Sequence, residues 1–421
     1  MKEIKTVQQS QYAQTCTDSH LINFVVGQPS PSMLEKALHW AQGTLKGKAS
    51  FGSPTISPFI MQYGAAEGHE SFRVALAKYL TGKYQFPVEA SQLMTTNGNS
   101  HALSLVCRVL AAKALARAHA SGTPPQTPVI VCEDPTYFLA KRIFDDMGFD
   151  CIGIEMDEEG MIVKDLERRL IVDDLRPLAV YTIPNFHNPT GVCMSPERRQ
   201  HLLRLAHQHN FHIVCDEPYT LLTFDDSHDL NNRNTFFLEE HKTPEASGRV
   251  ISMGSFSKLI APGLRLGWLH ASADMIRTIK VDGVFFSGGG ANPLVASMVE
   301  EGLESGSFEK SLQDTISTLK TQKEALVSAL RTALPPYFEF DIPRGGYFLW
   351  IEFPSFVDVE KINEEGRSIG VRVCSGGRCS VRPDTFTNCA RFSFAFYQPA
   401  ELKEGVERLA CILKAHYPEF R

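Results

Sequence analysis

The chain has 421 residues, of which 43% are hydrophobic and 21% are charged, so it can bury a large core and is long enough for two domains. This composition excludes an intrinsically disordered chain and a small disulfide-stabilised scaffold. Lys and Arg number 42 against 48 Asp and Glu, and the net charge of −6 gives no general attraction to nucleic acid or anionic lipid. We therefore predict a small-molecule partner, with no nucleic acid and no membrane partner.

The amino-terminal residues and the cysteines favour the cytoplasm. Residues 1–18 lack the apolar run of a secretory signal, and no apolar stretch is long enough to span a bilayer. The 10 cysteines include no Cys-x-x-Cys pair of the kind that indicates a zinc site or a redox centre. We predict a cytoplasmic protein with reduced cysteines and no metal site.

Short apolar, β-branched runs alternate with segments of helical spacing from residue 93 onwards. Seven such runs are bounded by Gly, Pro, Asn or Asp: residues 93–96, 128–132, 149–154, 178–183, 211–215, 249–253 and 266–269. The alternation predicts an α/β fold in which helices cover both faces of a mostly parallel, seven-stranded sheet. Ligands of such folds gather at the carboxyl ends of the strands, so the polar residues there are the candidates for function.

The pattern changes after residue 293. Apolar residues from Phe308 to Leu334 recur on one stripe and predict a long helix. Further strands are predicted near residues 338–342, 347–353, 371–374 and 391–396, and further helices near 359–369 and 400–414. We predict a large domain over residues 51–295 and a smaller α+β domain formed by residues 1–50 and 296–421.

The strongest local signal is the run Ser255-Phe256-Ser257-Lys258, followed by Arg265. A lysine at the end of a strand can form a Schiff base with an aldehyde, and two serine hydroxyls with an arginine can hold a phosphate beside it. An aldehyde that carries a phosphate is pyridoxal phosphate (PLP). A solvated surface position is the simpler interpretation of a single lysine, and only the other motifs argue against it.

Two more strand ends carry groups that suit PLP. Asp216, in Cys215-Asp216-Glu217-Pro218-Tyr219, could keep the pyridine nitrogen protonated, and the Tyr219 hydroxyl could bind the phenolic oxygen. Asn188, in Asn-Pro-Thr-Gly, is a neutral donor for the same oxygen. Considered singly, Asp216 could instead cap a turn, and the Asn188-Pro189 pair could end a strand for backbone reasons.

Weaker signals complete the set. Asn99 and Ser100 follow Gly98 at the start of a helical segment, where backbone amides can bind an anion. Tyr137 could stack on a pyridine ring, and Arg391 could clamp a substrate carboxylate with two hydrogen bonds. Each signal also has a purely structural interpretation. The turn at Gly98 is common in α/β folds, Tyr137 could be a packed aromatic residue, and Arg391 could form a surface ion pair.

Together, in this order from about Gly27 to Phe396, the motifs resemble the fold-type I PLP-dependent enzymes, specifically the class I and II aminotransferases. The amino-acid sequence around Asn188 and around Lys258 is similar to that of the 2-aminoadipate and aromatic aminotransferase branch. The resemblance implies the fold of the type I PLP-dependent transferases. It also implies ping-pong transamination between an L-amino acid and a 2-oxo acid.

The resemblance also implies a role for each matching residue. Lys258, Asp216 and Tyr219 are expected to be catalytic, and Lys258 to carry the cofactor and move the proton. The expected cofactor-binding residues are Asn99, Ser100, Tyr137, Asn188, Asp216, Tyr219, Ser255, Ser257, Lys258, Arg265 and Tyr63. Arg391, Gly27 and Asn188 are expected to bind the substrate. Because family members donate the tyrosine at the Tyr63 position to the phosphate of the neighbouring subunit, a homodimer is implied.

Two segments depart from the family pattern. Residues 287–290 read Ser-Gly-Gly-Gly where dicarboxylate-specific relatives present an arginine, and residues 373–380 replace the usual Pro-Gly-x-x-Phe of a small-domain loop. Arg344, Arg372 and Arg378 are possible distal clamps for a substrate. The motifs leave open a PLP-dependent carbon-sulfur β-lyase acting on a cysteine conjugate or sulfoxide, and a non-catalytic PLP-binding sensor.

Overall fold

The computed structural model describes residues 20–50, 58–224, 235–336 and 338–420. Its helices are α1 (Pro31–Ser50), α2 (Glu70–Tyr84), α3 (Asn99–Ser121), α4 (Phe138–Asp146), α5 (Val163–Val172), α6 (Pro196–His209), α7 (Phe236–His241), α8 (Ala273–Ile279), α9 (Gly283–Gly288), α10 (Pro293–Glu304), α11 (Ser307–Ala333), α12 (Val359–Ile369) and α13 (Pro399–His416). Its strands are β1 (Ile22–Asn23), β2 (Leu93–Thr96), β3 (Val129–Asp134), β4 (Asp150–Asp157), β5 (Gly160–Met161), β6 (Ala179–Thr182), β7 (His212–Asp216), β8 (Val250–Ser255), β9 (Gly267–Ala271), β10 (Phe348–Glu352), β11 (Val371–Arg372), β12 (Cys374–Ser375) and β13 (Cys389–Ser393). None of the described helices is both long and apolar enough to cross a membrane.

The central sheet has eight strands in the order β2-β9-β8-β7-β6-β3-β4-β5. Neighbouring strands from β8 through β7, β6 and β3 to β4 are parallel, whereas β9 is antiparallel to β2 and β8. The prediction of a mostly parallel sheet flanked by helices is confirmed. The predicted number of seven strands is wrong by one, because β5 pairs with β4 through two residues and is too short to leave a pattern in the sequence.

Helices cover both faces of this sheet because successive side chains of a strand point to opposite sides. In β6, Tyr181 packs with α3, α4 and α8, whereas Val180 packs on the other face with α5 and α6. Each strand is therefore buried on both faces and reads as a continuous apolar run. The polar residues that follow the strands lie at the sheet edge, outside these two cores.

The carboxy-terminal region is built on α11 and a small sheet in the order β10-β13-β12. The predicted long helix is confirmed, and Leu319, Leu326 and Leu330 of its stripe are fully buried. The strand predicted at residues 338–342 is wrong, because the ring of Phe338 packs against Phe353 at 5.6 Å while its backbone joins no sheet. The alternation of aromatic residues in this segment therefore results from packing in the core and not from strand pairing.

One apolar core joins the two regions. It contains Phe256 and Trp268 from the segment around the central sheet, and Leu319 and Phe392 from the carboxy-terminal region. The amino-terminal strand β1 also joins the carboxy-terminal region, since it pairs in parallel with β11. The division at residues 51–295 stays a prediction.

Candidate active site

Three of the predicted residues come together because they follow neighbouring parallel strands. Asn188 lies on the loop after β6, Asp216 ends β7, and Lys258 lies just after β8. The carboxyl ends of parallel strands meet at one edge of a sheet, where open α/β folds bind their ligands. This edge is the candidate active site.

Asp216 is buried at this edge with a donor on each carboxylate oxygen. Asn99 Nδ2 donates to Oδ1 at 2.6 Å, and the Tyr181 hydroxyl donates to Oδ2 at 2.8 Å. Burial raises the pKa of Asp216, while these two hydrogen bonds and the charge of Lys258 oppose that rise. The two donors fix the carboxylate in one orientation and stabilise its charged form.

Of the two residues that donate to Asp216, the sequence analysis predicts Asn99 as a site residue but does not predict Tyr181. Asn99 is predicted to bind phosphate, yet its side-chain amide contacts Asp216 and the Met253 carbonyl oxygen, the latter at 3.0 Å. Its Oδ1 is buried with no hydrogen-bond partner among the described residues. Tyr181 is not predicted at all. The available signal is its position in β6, where it shares a face with Asp216 one strand away.

Lys258 is held by the amino-terminal segment and by an aromatic residue. Its Nζ donates to the Gly27 carbonyl oxygen at 2.7 Å and lies 5.4 Å from the centre of the Tyr347 ring. The Tyr347 hydroxyl donates to the Lys258 carbonyl oxygen at 3.1 Å. At Gly27 a Cβ atom would lie 2.7 Å from Cζ of Phe348, so the close approach requires glycine.

Arg391 is buried next to the same segment. Its Nη1 donates to Asn188 Oδ1 at 2.8 Å, and its Nη2 donates to the Val25 carbonyl oxygen at 2.8 Å. The guanidinium carbon lies 4.2 Å from the centre of the Phe348 ring, which orients the planar group. The structure thus brings together the three residues predicted to bind substrate: Arg391, Asn188 and Gly27.

The predicted phosphate-binding residues surround the beginning of α3. Gly98 precedes this helix with a φ of 86°, and a Cβ atom there would lie 3.2 Å from Nη2 of Arg265. Nη2 of the exposed Arg265 donates to the Asn97 carbonyl oxygen at 2.9 Å. The Ser257 amide donates to Ser255 Oγ at 3.1 Å. Hydroxyls, a guanidinium and a helix amino terminus are suitable phosphate ligands.

The three tyrosines predicted to bind the cofactor lie in different environments. Tyr219 is buried and packs against Tyr347 and Phe348, with ring centres 5.6 and 5.9 Å away. Tyr137 is half-buried at the start of α4, after the carboxyl end of β3. Tyr63 is 83% exposed and lies beside Gly288. The first two therefore belong to the sheet edge, and Tyr63 lies on the surface of the chain.

A second buried acid, Glu217, escaped the sequence analysis although it follows Asp216 directly. The two point to opposite faces of the sheet, and Glu217 accepts hydrogen bonds from Ser252 Oγ and from Asn185 Nδ2, the latter at 3.2 Å. Burial raises the pKa of Glu217 to about 7, against the opposing effects of Ser252 and of the buried Arg199.

This set of groups fits PLP. Asp216 suits a ring nitrogen, Lys258 an aldehyde and Arg391 a substrate carboxylate, while the orphaned Asn99 oxygen leaves an acceptor for a further donor. Among the described residues, no group of three or more His, Cys, Asp or Glu side chains is arranged to hold a metal ion.

The comparisons with known proteins agree with this chemistry. The model of the family described as aminotransferase class I and II matches residues 20–409, and the chain belongs to that family. It is 32% identical over 359 residues to aromatic-amino-acid aminotransferase 1 of Thermococcus litoralis, covering 84% of this chain and 80% of that protein. An aromatic amino acid aminotransferase of Schizosaccharomyces pombe is 27% identical, with 96% of this chain and 93% of that protein covered.

A solved structure extends the likeness to the fold. Kynurenine aminotransferase of Pyrococcus horikoshii, solved with pyridoxamine phosphate, superposes with a TM-score of 0.80 at 27% identity, covering 95% of this chain and 92% of that one. The chain is therefore a PLP-dependent aminotransferase of fold type I, which exchanges an amino group between an amino acid and a 2-oxo acid. The relatives do not favour the β-lyase or the sensor.

The raised pKa of Glu217 predicts a pH dependence of stability. Because the folded state binds this proton more tightly than the unfolded state, the free energy of unfolding falls as the pH rises from about 4.5 to about 7. In Glu217→Gln that fall becomes smaller. Glu240, whose pKa burial raises to about 7, and Asp216, whose pKa burial also raises, account for the part of the fall that remains. Chemical denaturation across this pH range measures the slope.

The exposed Glu245 provides the matched control. Glu245→Gln makes the same chemical change at an exposed position, and we expect it to keep the wild-type slope. Equal slopes for wild type and Glu217→Gln would contradict the burial of an acid with a raised pKa at position 217.

Proposed function

We propose that the protein is a cytoplasmic, homodimeric aminotransferase for aromatic L-amino acids, in which Lys258 moves the proton at the substrate Cα. The observation that carries the assignment of residues is the spacing of two carbonyl groups. Val25 accepts from Arg391 and Gly27 accepts from Lys258. Positions two residues apart span at most about 7 Å, so one short stretch of backbone holds both the guanidinium and the amine at the candidate active site.

Each residue contributes a separate physical effect. When bound, PLP supplies an aldehyde that captures the substrate amine and a protonated ring that withdraws electrons. Asp216, held by Asn99 and Tyr181, is a fixed negative charge suited to stabilising a protonated nitrogen. Arg391 holds the substrate carboxylate and so fixes the direction of the Cα–H bond. The Lys258 Nζ takes the proton from that Cα.

Two features support aromatic substrates. Phe348 contacts Arg391, and Tyr219 and Tyr347 pack around it, so aromatic rings adjoin the carboxylate clamp. Residues 287–290 carry no cation for a second carboxylate. The names of the relatives from Thermococcus litoralis, Schizosaccharomyces pombe and Pyrococcus horikoshii point to the same class.

Exposed apolar side chains support the homodimer. Met61 is 78% exposed, Tyr63 83% and Phe286 79%. Met61 and Tyr63 line one cavity together with Gly288, near the end of the helix that carries Phe286. A cluster of large exposed apolar residues is typical of a protein interface, and a second copy of the chain would cover it.

Replacing the lysine tests the assignment of the amine. In Lys258→Ala, turnover falls by at least about 10²-fold, because proton transfer by a positioned group contributes roughly that factor or more. Lys164→Ala, at an exposed position of α5, keeps wild-type turnover. After borohydride reduction of the wild-type holoenzyme, peptide mapping locates the retained vitamin label on Lys258. Label on another lysine would refute the assignment.

Substrate choice tests the aromatic class. With a common oxo-acid acceptor, kcat/KM for phenylalanine exceeds that for aspartate by about tenfold or more, since a second carboxylate beside these rings loses hydration and finds no cation at residues 287–290. Steady-state rates for a panel of aromatic, aliphatic and dicarboxylic amino acids measure the ratio. Faster turnover of aspartate would overturn the aromatic class while leaving the aminotransferase activity in place.

A charge placed on the apolar surface tests the homodimer. Phe286→Asp shifts the holoenzyme from dimer to monomer in light scattering after size-exclusion chromatography, because a carboxylate in an apolar interface is costly to desolvate. Val172→Asp, at a position 70% exposed on α5, leaves the mass unchanged. A wild-type chain that elutes as a monomer would contradict the proposed assembly.

A further inference from the structure

The loop that carries Asn188 begins with a second asparagine, whose buried amide is bound at both ends. Asn185 follows β6, and its Oδ1 accepts from Arg199 Nη2 at 2.8 Å. Its Nδ2 donates to Glu217 Oε1 at 3.2 Å and to Thr220 Oγ1 at 3.1 Å. The oxygen faces a cation and the nitrogen faces two acceptors, so these contacts define the orientation of the amide.

The two charged-type partners of this amide are themselves buried and hydrogen-bonded. Arg199 of α6 donates from Nε to the Met194 carbonyl oxygen at 3.0 Å and from Nη2 to the Pro184 carbonyl oxygen at 3.2 Å. Glu217 also accepts from the Ser252 hydroxyl of β8. Buried polar groups that are satisfied in this way are costly to displace, so they hold the amide between them in place.

The amide links two segments of the candidate active site. Asn185 lies three residues before Asn188 in the chain, and its acceptor Thr220 directly follows Tyr219. Asn188 and Tyr219 are the two side chains expected to bind the phenolic oxygen of PLP. The hydrogen bonds of one buried amide therefore join the loop of the first residue to the turn of the second.

A strained residue separates the two asparagines of the loop. Phe186 has a φ of 49°, in the left-handed region that a bulky L-residue rarely adopts. Its buried ring is packed against Gly345, where a Cβ atom would lie 2.4 Å from the ring Cζ. Such a conformation persists only where surrounding contacts determine it strongly. The hydrogen bonds of Asn185 supply such contacts on the residue next to the strained one.

We propose that Asn185 is a positioning residue, which places the side chains of Asn188 and Tyr219 for binding the phenolic oxygen of PLP. It acts through these two residues and not by contact with the cofactor. Its acceptor Glu217 points to the face of the sheet opposite to Asp216, the residue that faces the ring nitrogen. The proposal rests on the proposed roles of Asn188 and Tyr219.

The placement of these two donors has a spectroscopic consequence. Arg391 Nη1 donates to Asn188 Oδ1 at 2.8 Å, so the Nδ2 end of the Asn188 amide is the one that can donate to a phenolic oxygen. Donors at that oxygen draw its negative charge away from the nitrogen that joins Lys258 to PLP. With fewer or misplaced donors, this nitrogen keeps its proton to a higher pH.

Absorbance of the PLP-loaded protein tests the positioning role. The measured quantity is the midpoint, the pH at which half of the long-wavelength absorbance of bound PLP is lost. Asn185→Ala raises the midpoint by roughly one pH unit, as expected for the loss of about one hydrogen bond to the phenolic oxygen. An unchanged midpoint in a folded, PLP-loaded Asn185→Ala protein would overturn the proposal.

A buried asparagine elsewhere in the chain provides the matched control. Asn363 of α12 accepts from the Val373 amide at 3.0 Å in the carboxy-terminal region. Asn363→Ala also removes a buried amide and lowers stability, but we expect it to keep the wild-type midpoint. An equal midpoint shift in both alanine variants would overturn the proposal, because the shift would then follow from general destabilisation.

Smaller changes at Thr220 test the same link if Asn185→Ala does not fold. Thr220→Val keeps the shape of the side chain but removes the acceptor of Asn185 Nδ2, so the midpoint rises by part of the full shift. Thr220→Ser retains the hydroxyl and keeps the wild-type midpoint. Equal midpoints in Thr220→Val and Thr220→Ser would overturn the proposal.

Tyr219→Phe separates failure of this proposal from failure of the proposed site. This variant removes a hydroxyl donor directly, and we expect its midpoint to rise. A rise in Tyr219→Phe without a rise in Asn185→Ala would reject the positioning role and leave the role of Tyr219 intact. An unchanged midpoint in Tyr219→Phe would refute the proposed role of Tyr219, and the positioning proposal with it.

Discussion

The candidate active site depends on keeping a carboxylate charged where water is excluded. Asp216 lies at the buried end of β7, and an unpaired charge there would be neutralised by its own desolvation. Two donors from different elements, Asn99 at the start of α3 and Tyr181 in β6, compensate for the lost water. The fold supplies both because β6 and β7 are parallel neighbours and α3 begins at the same edge of the sheet. The electrostatics of the site therefore follow from strand order.

The amino-terminal segment contributes backbone carbonyl groups to the site, whereas the central sheet contributes side chains. Carbonyl groups of Val25 and Gly27 orient the guanidinium of Arg391 and the amine of Lys258. Carbonyl groups accept hydrogen bonds without adding a formal charge, so this segment orients both side chains without neutralising either through an ion pair. The contact of Gly27 with Phe348 leaves no space for a side chain at this point of the chain.

The sequence predicts those features that are local in the chain. Strand ends marked by Asp216, Asn188 and Lys258 are readable because apolar runs stop at polar residues, and the long helix α11 is readable from its stripe. Contacts between distant residues are not readable in this way. The hydrogen bond from Tyr181 to Asp216, the clash that reserves position 27 for glycine, and the pairing of β5 each depend on tertiary packing. The false strand at 338–342 has the same cause, because aromatic alternation arises from packing as well as from pairing.

The single apolar core shared by the central sheet and the carboxy-terminal region limits how the molecule can move. Phe256 packs against Phe308 of α11, with ring centres 5.6 Å apart, and Phe224 packs against Phe394 at 6.0 Å. A wide hinge opening would expose these rings to solvent. Small sliding displacements of packed helices preserve such contacts. Substrate entry is therefore compatible with a shear motion of a few side-chain layers, in which these ring contacts are kept.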